Sequence, residues 1–225
     1  MAAEDARRIA VAFLPTFPLG NRYDYYYVRA KLRSDPLYPG VLAALRGCEA
    51  PLIDLGCGLG LLAHALRGDG RAIAYLGVDD DEAKLARARR AAARRGFAEV
   101  RFERVDLSRG APPHRGSVAL LDVLQYLDAD AREALLATAV AMLDPGARLV
   151  IRSPIDDGGG RARIGRVVDG LAHRIGWMRF RPRAHPTLDA LCAPLQRAGL
   201  RVERRPLHGR TPFNNWLIVA ERVAA

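Results

Sequence analysis

One stretch limits the fold of this chain more than any other. From Pro51 to Gly60 it reads Pro-Leu-Ile-Asp-Leu-Gly-Cys-Gly-Leu-Gly, and an Ala/Leu-rich run, Leu61 to Leu66, follows. A short apolar segment ends in an acid, opens into a loop with glycine at every second position, and continues at helical spacing. That pattern predicts a strand, a tight turn and a helix. Glycine admits backbone conformations that a Cβ forbids and lets a ligand approach closely; the turn delivers that ligand to a helix N-terminus.

The spacing and the acid narrow the ligand. A dinucleotide loop has the form G-x-G-x-x-G/A after its strand. Here the glycines are 56, 58 and 60, and the last position of that pattern is Leu61. Asp54, two residues before the first glycine, would repel a pyrophosphate but suits a cationic amine through charge-assisted hydrogen bonds. S-adenosylmethionine (SAM) carries an α-amino group, a ribose and a sulfonium, and no phosphate.

Ile53 to Gly60 resembles the first motif of class I SAM-dependent methyltransferases in its D-x-G-x-G-x-G form. The later segments fall in that family's order. Ala72 to Val78 reads as a second strand, closed by Asp79 with Asp80 and Asp81 beyond. An acid about 20 residues past the loop can take ribose hydroxyls, with Asp79 the first choice and Asp80 the alternative. Val100 to Val105 reads as a third strand, and Asp106-Leu107 resembles the pair that meets the adenine. Ser117 to Leu121 is a fourth strand. Asp122 to Leu127, including Leu124, Gln125 and Tyr126, resembles the motif beside the methyl-transfer centre. Pro145-Gly146 then precedes a fifth strand, Arg148 to Ile151. Cys57 joins the loop as a small residue with no chemistry of its own.

The resemblance implies an α/β fold: a single three-layer αβα Rossmann-like domain whose seven-stranded sheet is mostly parallel with an antiparallel last strand. Arg201 to Leu207 and Trp216 to Glu221 supply the last two strands. Residues 1–47 are expected to form an N-terminal helical cap and substrate segment. Residues 48–225 form the SAM-binding core, with a substrate-covering insertion at about 154–186.

Length and composition agree with one such domain, since 225 residues can bury a substantial core. No apolar run approaches the ~20 residues of a membrane span. Glu4, Asp5, Arg7 and Arg8 interrupt any signal-like start, so the expected location is the cytoplasm. Cys48, Cys57 and Cys192 are too few and too scattered for a zinc site or disulfide framework; no metal site is expected. The formal charge of +10 raises the question of a nucleic-acid partner. Yet the cations are nearly all arginine, spread along the chain, without a basic tail or an aromatic-plus-basic stacking motif. Arg87, Arg89, Arg90, Arg94 and Arg95 read as the solvent face of the helix after strand 2. A nucleic-acid substrate is disfavoured, and an acidic protein or anionic small molecule fits the charge equally well.

The acceptor should meet the regions outside the cofactor core. Asn21 to Leu32 holds four of the chain's seven tyrosines. Tyr23, Tyr25, Tyr26 and Tyr27 cannot all face inward on one helix, so some must reach a pocket or interface. By family analogy Tyr27 and Arg29 would meet the SAM carboxylate, with Tyr23 and Arg22 as alternatives; Tyr23 is also a substrate candidate. After strand 5, Ile164, Val167, Val168, Leu171 and Ile175 repeat at helical spacing before Trp177, Met178 and Phe180, which suits an apolar or aromatic pocket. Thr187 caps a helix reaching Ala198, and Gly199 ends it. If a general base assists transfer, His185 is the first choice and His173 the second. Gln125, Tyr126 and Asn214 could orient an acceptor by hydrogen bonds.

A narrower resemblance runs through Asn21 to Tyr27, Lys31 to Pro36 and Gly209 to Trp216, which are similar to small bacterial methyltransferases of aryl polyene and related pigment pathways. It implies secondary metabolism and a phenolic acceptor, free or tethered to an acidic acyl carrier protein. The alternatives are an RNA or protein methyltransferase using the basic surface, and a non-catalytic SAM-binding protein.

Overall fold

The computed structural model describes residues 1–17, 19–159, 185–209, 211 and 213–222. Alternation of apolar residues and glycine-terminated turns produces seven strands: β1 Leu52–Leu55, β2 Tyr75–Asp79, β3 Val100–Arg104, β4 Ser117–Leu121, β5 Arg148–Pro154, β6 Leu200–Pro206 and β7 Asn215–Arg222. They form one sheet in the order β3-β2-β1-β4-β5-β7-β6. β1 to β5 are parallel, and β7 runs antiparallel to both β5 and β6. β5 reaches Pro154, three residues beyond the expected end, because β7 pairs with it from Arg148↔Glu221 to Pro154↔Asn215. The second strand begins at Tyr75 rather than Ala72 and includes Asp79.

The helices are α1 Ala3–Ala10, α2 Tyr23–Ser34, α3 Leu37–Ala44, α4 Leu61–Gly68, α5 Glu82–Arg94, α6 Ala129–Ala141 and α7 Leu188–Arg197. Side-chain caps set three starts. Asp81 accepts from the amides of Ala83 and Lys84 at α5, Asp128 from Ala131 at α6, and Thr187 from Ala190 at α7. The period-2 exposure of strands assigns the two faces. Leu52, Tyr75, Ala119, Val150 and Leu217 pack beneath α1 to α5. Ile53, Leu55, Val118, Leu120, Leu149, Ile151 and Ile218 pack beneath α6 and α7. Three layers result, as expected.

Many arginines act on backbone carbonyls rather than on solvent. Arg148 donates to the carbonyls of Ala44 (2.6 Å) and Arg46 (3.0 Å), past the end of α3. Arg71 donates to Leu45 and Cys48 at 2.6 and 2.5 Å. Arg222 reaches Leu143 and Val140 behind α6 at 3.2 and 3.3 Å. Helix C-termini leave carbonyls unsatisfied and carry partial negative charge, so a guanidinium serves both needs. On α5 the expected solvent face is found, with Arg89, Arg90, Arg94 and Arg95 exposed and Arg87 half-buried, but three of its arginines also bond to the protein. Arg94 donates to Ala12 and Leu14, Arg89 to Phe102, and Arg87 pairs with Asp24 of α2 at 3.0 Å.

Candidate active site

The loop after β1 is held by its neighbour strand. The amides of Gly56 and Cys57 both donate to the Val78 carbonyl, at 2.8 and 2.9 Å, and Gly60 donates to Cys57 at 2.9 Å. Gly56, Gly58 and Gly60 have φ of +83°, +56° and +68°, a region costly for residues with a Cβ. Their surroundings differ. A Cβ on Gly56 would lie 2.3 Å from Val123, and one on Gly60 would lie 2.5 Å from the Phe102 ring. A Cβ on Gly58 would meet nothing within 4 Å. Only Gly58, then, leaves open space for a ligand; the other two allow close packing of the loop. Cys57 turns its sulfur toward Gly77, where a Cβ would lie 2.8 Å from it. Gly56→Ala is therefore expected to destabilise by about 2–4 kcal/mol and Gly58→Ala by only about 1–2. Equal losses in urea denaturation would contradict that division.

Asp79, at the end of β2, braces this loop. One carboxylate oxygen accepts from the Gly58 amide at 2.8 Å and the other from Asp81 at 3.0 Å. Each oxygen has a second lone pair for a hydroxyl donor. Asp80 is exposed, with its carbonyl receiving Arg104 at 3.2 Å. Asp106 is exposed in a turn in which Ser108 donates to it through both its amide (3.0 Å) and its hydroxyl (2.6 Å). Those bonds hold its carboxyl below its ordinary pKa. Leu107 beside it is half-buried.

Asp54 sits at the centre of the sheet, 2% exposed. Its Oδ2 accepts from the Tyr75 hydroxyl at 2.6 Å, and its Oδ1 has no partner among the described residues. Burial pushes its pKa up to about 7 against the lowering effect of Tyr75, with Asp79 adding to the rise. A buried carboxyl with an unpaired oxygen is the complement of a cationic amine.

Asp122 follows β4 with φ of +62°, a position at which short polar side chains are tolerated. It belongs to a cluster of four charges in which Arg152 and Asp35 are buried and Asp122 and Lys31 are partly exposed. Arg152 of β5 donates to Asp122 and, at 3.2 and 3.3 Å, to both oxygens of Asp35. Lys31 of α2 lies 2.5 Å from Asp35 and 3.8 Å from Asp122. Burial alone would depress the Lys31 ammonium, but Asp122 and Asp35 outweigh it and raise its pKa. Likewise burial would raise Asp35, and Arg152 and Lys31 bring it below the ordinary value. Tyr38 of α3 is buried above the same groups.

The α2 stripe Tyr23, Tyr27, Lys31 and Asp35 has a four-residue spacing and so shares one face. Tyr23 and Tyr27 stack at 6.1 Å with rings 10° apart, 50% and 36% exposed. Burial raises the Tyr27 phenol's pKa, opposed by Lys31 and aided by Asp122. Arg29 is two positions, or about 200°, around the helix, so the cation on Tyr27's face is Lys31. Leu124 is wholly buried in the core, which leaves only its backbone for the cleft. Gln125 is 6% exposed and its carbonyl oxygen lacks a partner among the described residues. Tyr126 is half-buried. Asn214 donates to Ile155 at 3.0 Å and accepts from Trp216 at 3.3 Å, so its amide joins β5 to β7. His185 is half-buried next to Pro186, whose carbonyl accepts from Asp156 at 3.0 Å just beyond β5. His173 and Trp177 lie outside the described residues.

Sequence reading missed Lys31, Asp35, Arg152, Tyr38 and Tyr75. Two signals were available: an i,i+4 Lys-Asp pair just before Pro36, and a second arginine, Arg152, directly after the apolar Leu149-Val150-Ile151 of β5. Among the described residues no group of three or more His, Cys, Asp or Glu could hold a metal ion, and no helix is long and apolar enough to cross a membrane.

The sheet order, the reversed β7 and the glycine loop define a class I SAM-dependent methyltransferase fold. Residues 52–146, less than half of the chain, match the family described as "Methyltransferase domain". A 107-residue stretch is 31% identical to trans-aconitate 2-methyltransferase of Sinorhizobium medicae (strain WSM419). It covers 47% of this chain and 39% of that relative's length. Magnesium protoporphyrin IX methyltransferase from Synechocystis PCC 6803, solved with bound SAH, superposes with a TM-score of 0.64 at 16% identity, over 98% of this chain and 94% of that one. Mitomycin 7-O-methyltransferase gives 0.64 at 21% identity, covering 89% and 56%. At those identities the likeness concerns the fold.

Proposed function

We propose that this protein transfers a methyl group from SAM to a small aromatic acceptor bearing a phenolic oxygen. One observation carries the reading: around Tyr38, whose pKa is raised by burial, Tyr27 of the stacked Tyr23–Tyr27 pair, Asp122 beside Lys31, and the buried, half-satisfied Asp54 of β1 all lie close enough to add to that rise together. The residues present fit the cofactor, because the orphan Asp54 oxygen matches its amine and the space at Gly58 admits its sugar. Bound SAM supplies an electrophilic methyl on a sulfonium, and transfer is an in-line displacement dominated by orientation. Asp54 would neutralise the amino group, and Asp79 would take ribose hydroxyls while bracing Gly58. Asp106, Leu107 and the backbone at Leu124 would border the adenine and methyl ends. The Tyr23 and Tyr27 rings would stack on the acceptor, and the Lys31 ammonium would favour an ionised acceptor oxygen. His185 is a candidate base at the far side of β5. An acidic carrier protein fits the net charge of +10, and the acceptor screen below includes carrier-bound forms.

Calorimetry with S-adenosylhomocysteine (SAH), the demethylated product, tests the cofactor half. Asp79→Ala removes two charge-assisted acceptors, worth about 1.5–3 kcal/mol each, and should weaken SAH at least tenfold. If neither SAM nor SAH binds the wild-type protein at millimolar concentration, the reading is wrong. A screen of phenolic acids, free and carrier-bound, with detection of released SAH identifies the acceptor. Turnover of none of them would turn attention to non-aromatic substrates.

A further inference from the structure

Among the described residues, Asp54 differs from the other buried acids, Asp35 and Asp79, and from the partly buried Asp122. Asp35 and Asp122 are each matched by Arg152 and Lys31. Asp79 has two backbone amides. Asp54 has one phenol, and among the described residues no lysine or arginine pairs with it. The groups facing it are Tyr75 and Asp79 from β2, Tyr38 from α3 and Cys57 from the loop. Its register neighbours are Gly77 on β2 and Ala119 on β4. All of these are neutral or negative, and the cations of the adjacent cluster are committed elsewhere. A carboxyl at 2% exposure with an unpaired oxygen cannot stay ionised at the cost an exposed one bears.

We infer that binding of the cofactor's ammonium end expels a proton from Asp54, so that cofactor affinity is linked to proton release. The inference rests on the assignment of Asp54 to the cofactor amine in the proposed function. In the free protein the O–H bond of the Asp54 carboxyl keeps the buried site neutral. On binding, that bond breaks, the proton leaves to solvent, and the carboxylate pairs with the incoming ammonium. Tyr75 is a positioning residue: its hydroxyl donates to Oδ2 in either state and holds the orphan Oδ1 free for the ligand. It also favours the ionised form, which a neutral replacement would not.

The test is calorimetric titration of the full chain with SAH at pH 6.5, in phosphate and in a buffer of large ionisation enthalpy such as imidazole. At that pH the ligand's α-amino group is almost fully charged. With the Asp54 carboxyl titrating at about 7, about three-quarters of a proton should be released per SAH bound. Affinity should fall roughly eightfold from pH 7.5 to pH 6. Asp54→Asn should abolish both effects. Tyr75→Phe should move the affinity loss to higher pH, and it supplies an independent readout if the Asn variant does not fold. Tight SAH binding with equal heats in both buffers would overturn the inference while leaving the methyltransferase reading intact. Equal proton release from Asp54→Asn would also overturn it. Absence of any SAH binding would instead remove the proposed function.

Discussion

Arg152→Met is expected to destabilise the protein by about 3–5 kcal/mol, the cost of leaving buried charge without its partner. Arg152 is 4% exposed in its side chain and Asp35 7%, so water cannot replace the lost guanidinium. Removing it leaves two carboxylates and a single ammonium, Lys31, which lies 3.8 Å from Asp122 and cannot serve both well. Against a typical total stability of about 5–15 kcal/mol, that loss is a large share. The damage should concentrate in α2. That helix buries only Val28 and Leu32 and is tied to the body by this cluster at one end and by Asp24–Arg87 near the other. Urea denaturation measures the global loss, and hydrogen exchange over residues 23–34 measures the local one. A variant within 1 kcal/mol of wild type would show that the cluster does not anchor α2. A double cycle with Asp35→Asn should show strong coupling, since the two residues share the same bonds.

His64→Phe should change the pH dependence of stability by about 3 kcal/mol between pH 4 and 6.5. His64 is 2% exposed, packed between Phe13 at 5.1 Å and Phe97 at 4.9 Å, and neither ring nitrogen has a partner among the described residues. Burial pulls its pKa from 6.5 to about 4, with Arg95 adding to the drop. As pH falls below 6.5 the unfolded chain takes up a proton that the folded one refuses until about 4. Its stability contribution is therefore complete above 6.5 and lost on acidification, at about 1.36 kcal/mol per unit.

Asp54 acts in the opposite sense. Its folded pKa is raised from 3.8 to about 7, so the folded protein holds a proton that the unfolded chain releases. Its contribution is present below 3.8 and lost as pH rises to about 7, by about 4 kcal/mol. The two trends nearly cancel in the wild type. Phenylalanine at 64 keeps the aromatic packing and removes one of them, so stability of that variant should fall as pH rises from 4 to 7. Asp54→Asn should leave the other, and stability should then rise with pH. Unfolding midpoints at half-unit pH steps decide it. Parallel curves for wild type and His64→Phe would mean that the imidazole is not titrating out of a buried, neutral state.

The positions of strands and of the glycine loop were legible because their causes are local. Glycine at alternate positions after the short strand Leu52–Leu55 leaves one cheap conformation, a left-handed turn into a helix. Asp81, Asp128 and Thr187 announce helix starts by their own side chains. Errors in the strand ends were long-range in origin: β5 continues to Pro154 because a strand more than 60 positions later pairs with it. The arginines of α5 face solvent as expected, but the bonds that Arg87, Arg89 and Arg94 make were not legible for a similar reason. Which carbonyls lie within reach of a guanidinium depends on where α1 and β3 pack, and periodicity carries no such information.

The chain's own sequence determined the class of ligand site, through Asp54, the three loop glycines and the acids that close the following strands. Tertiary structure alone decided how those residues are charged and which of them are free. Asp54 and Asp122 read alike as acids near the ends of parallel strands. Folding places Arg152 and Lys31 beside Asp122 because β4 and β5 are neighbours and the end of α2 brings Lys31 to within 3.8 Å of it, whereas β1 is flanked at Asp54 by Gly77 and Ala119. Coulomb energy and desolvation depend on distances in space, and residues 31, 35, 122 and 152 share no local pattern until the sheet brings them together.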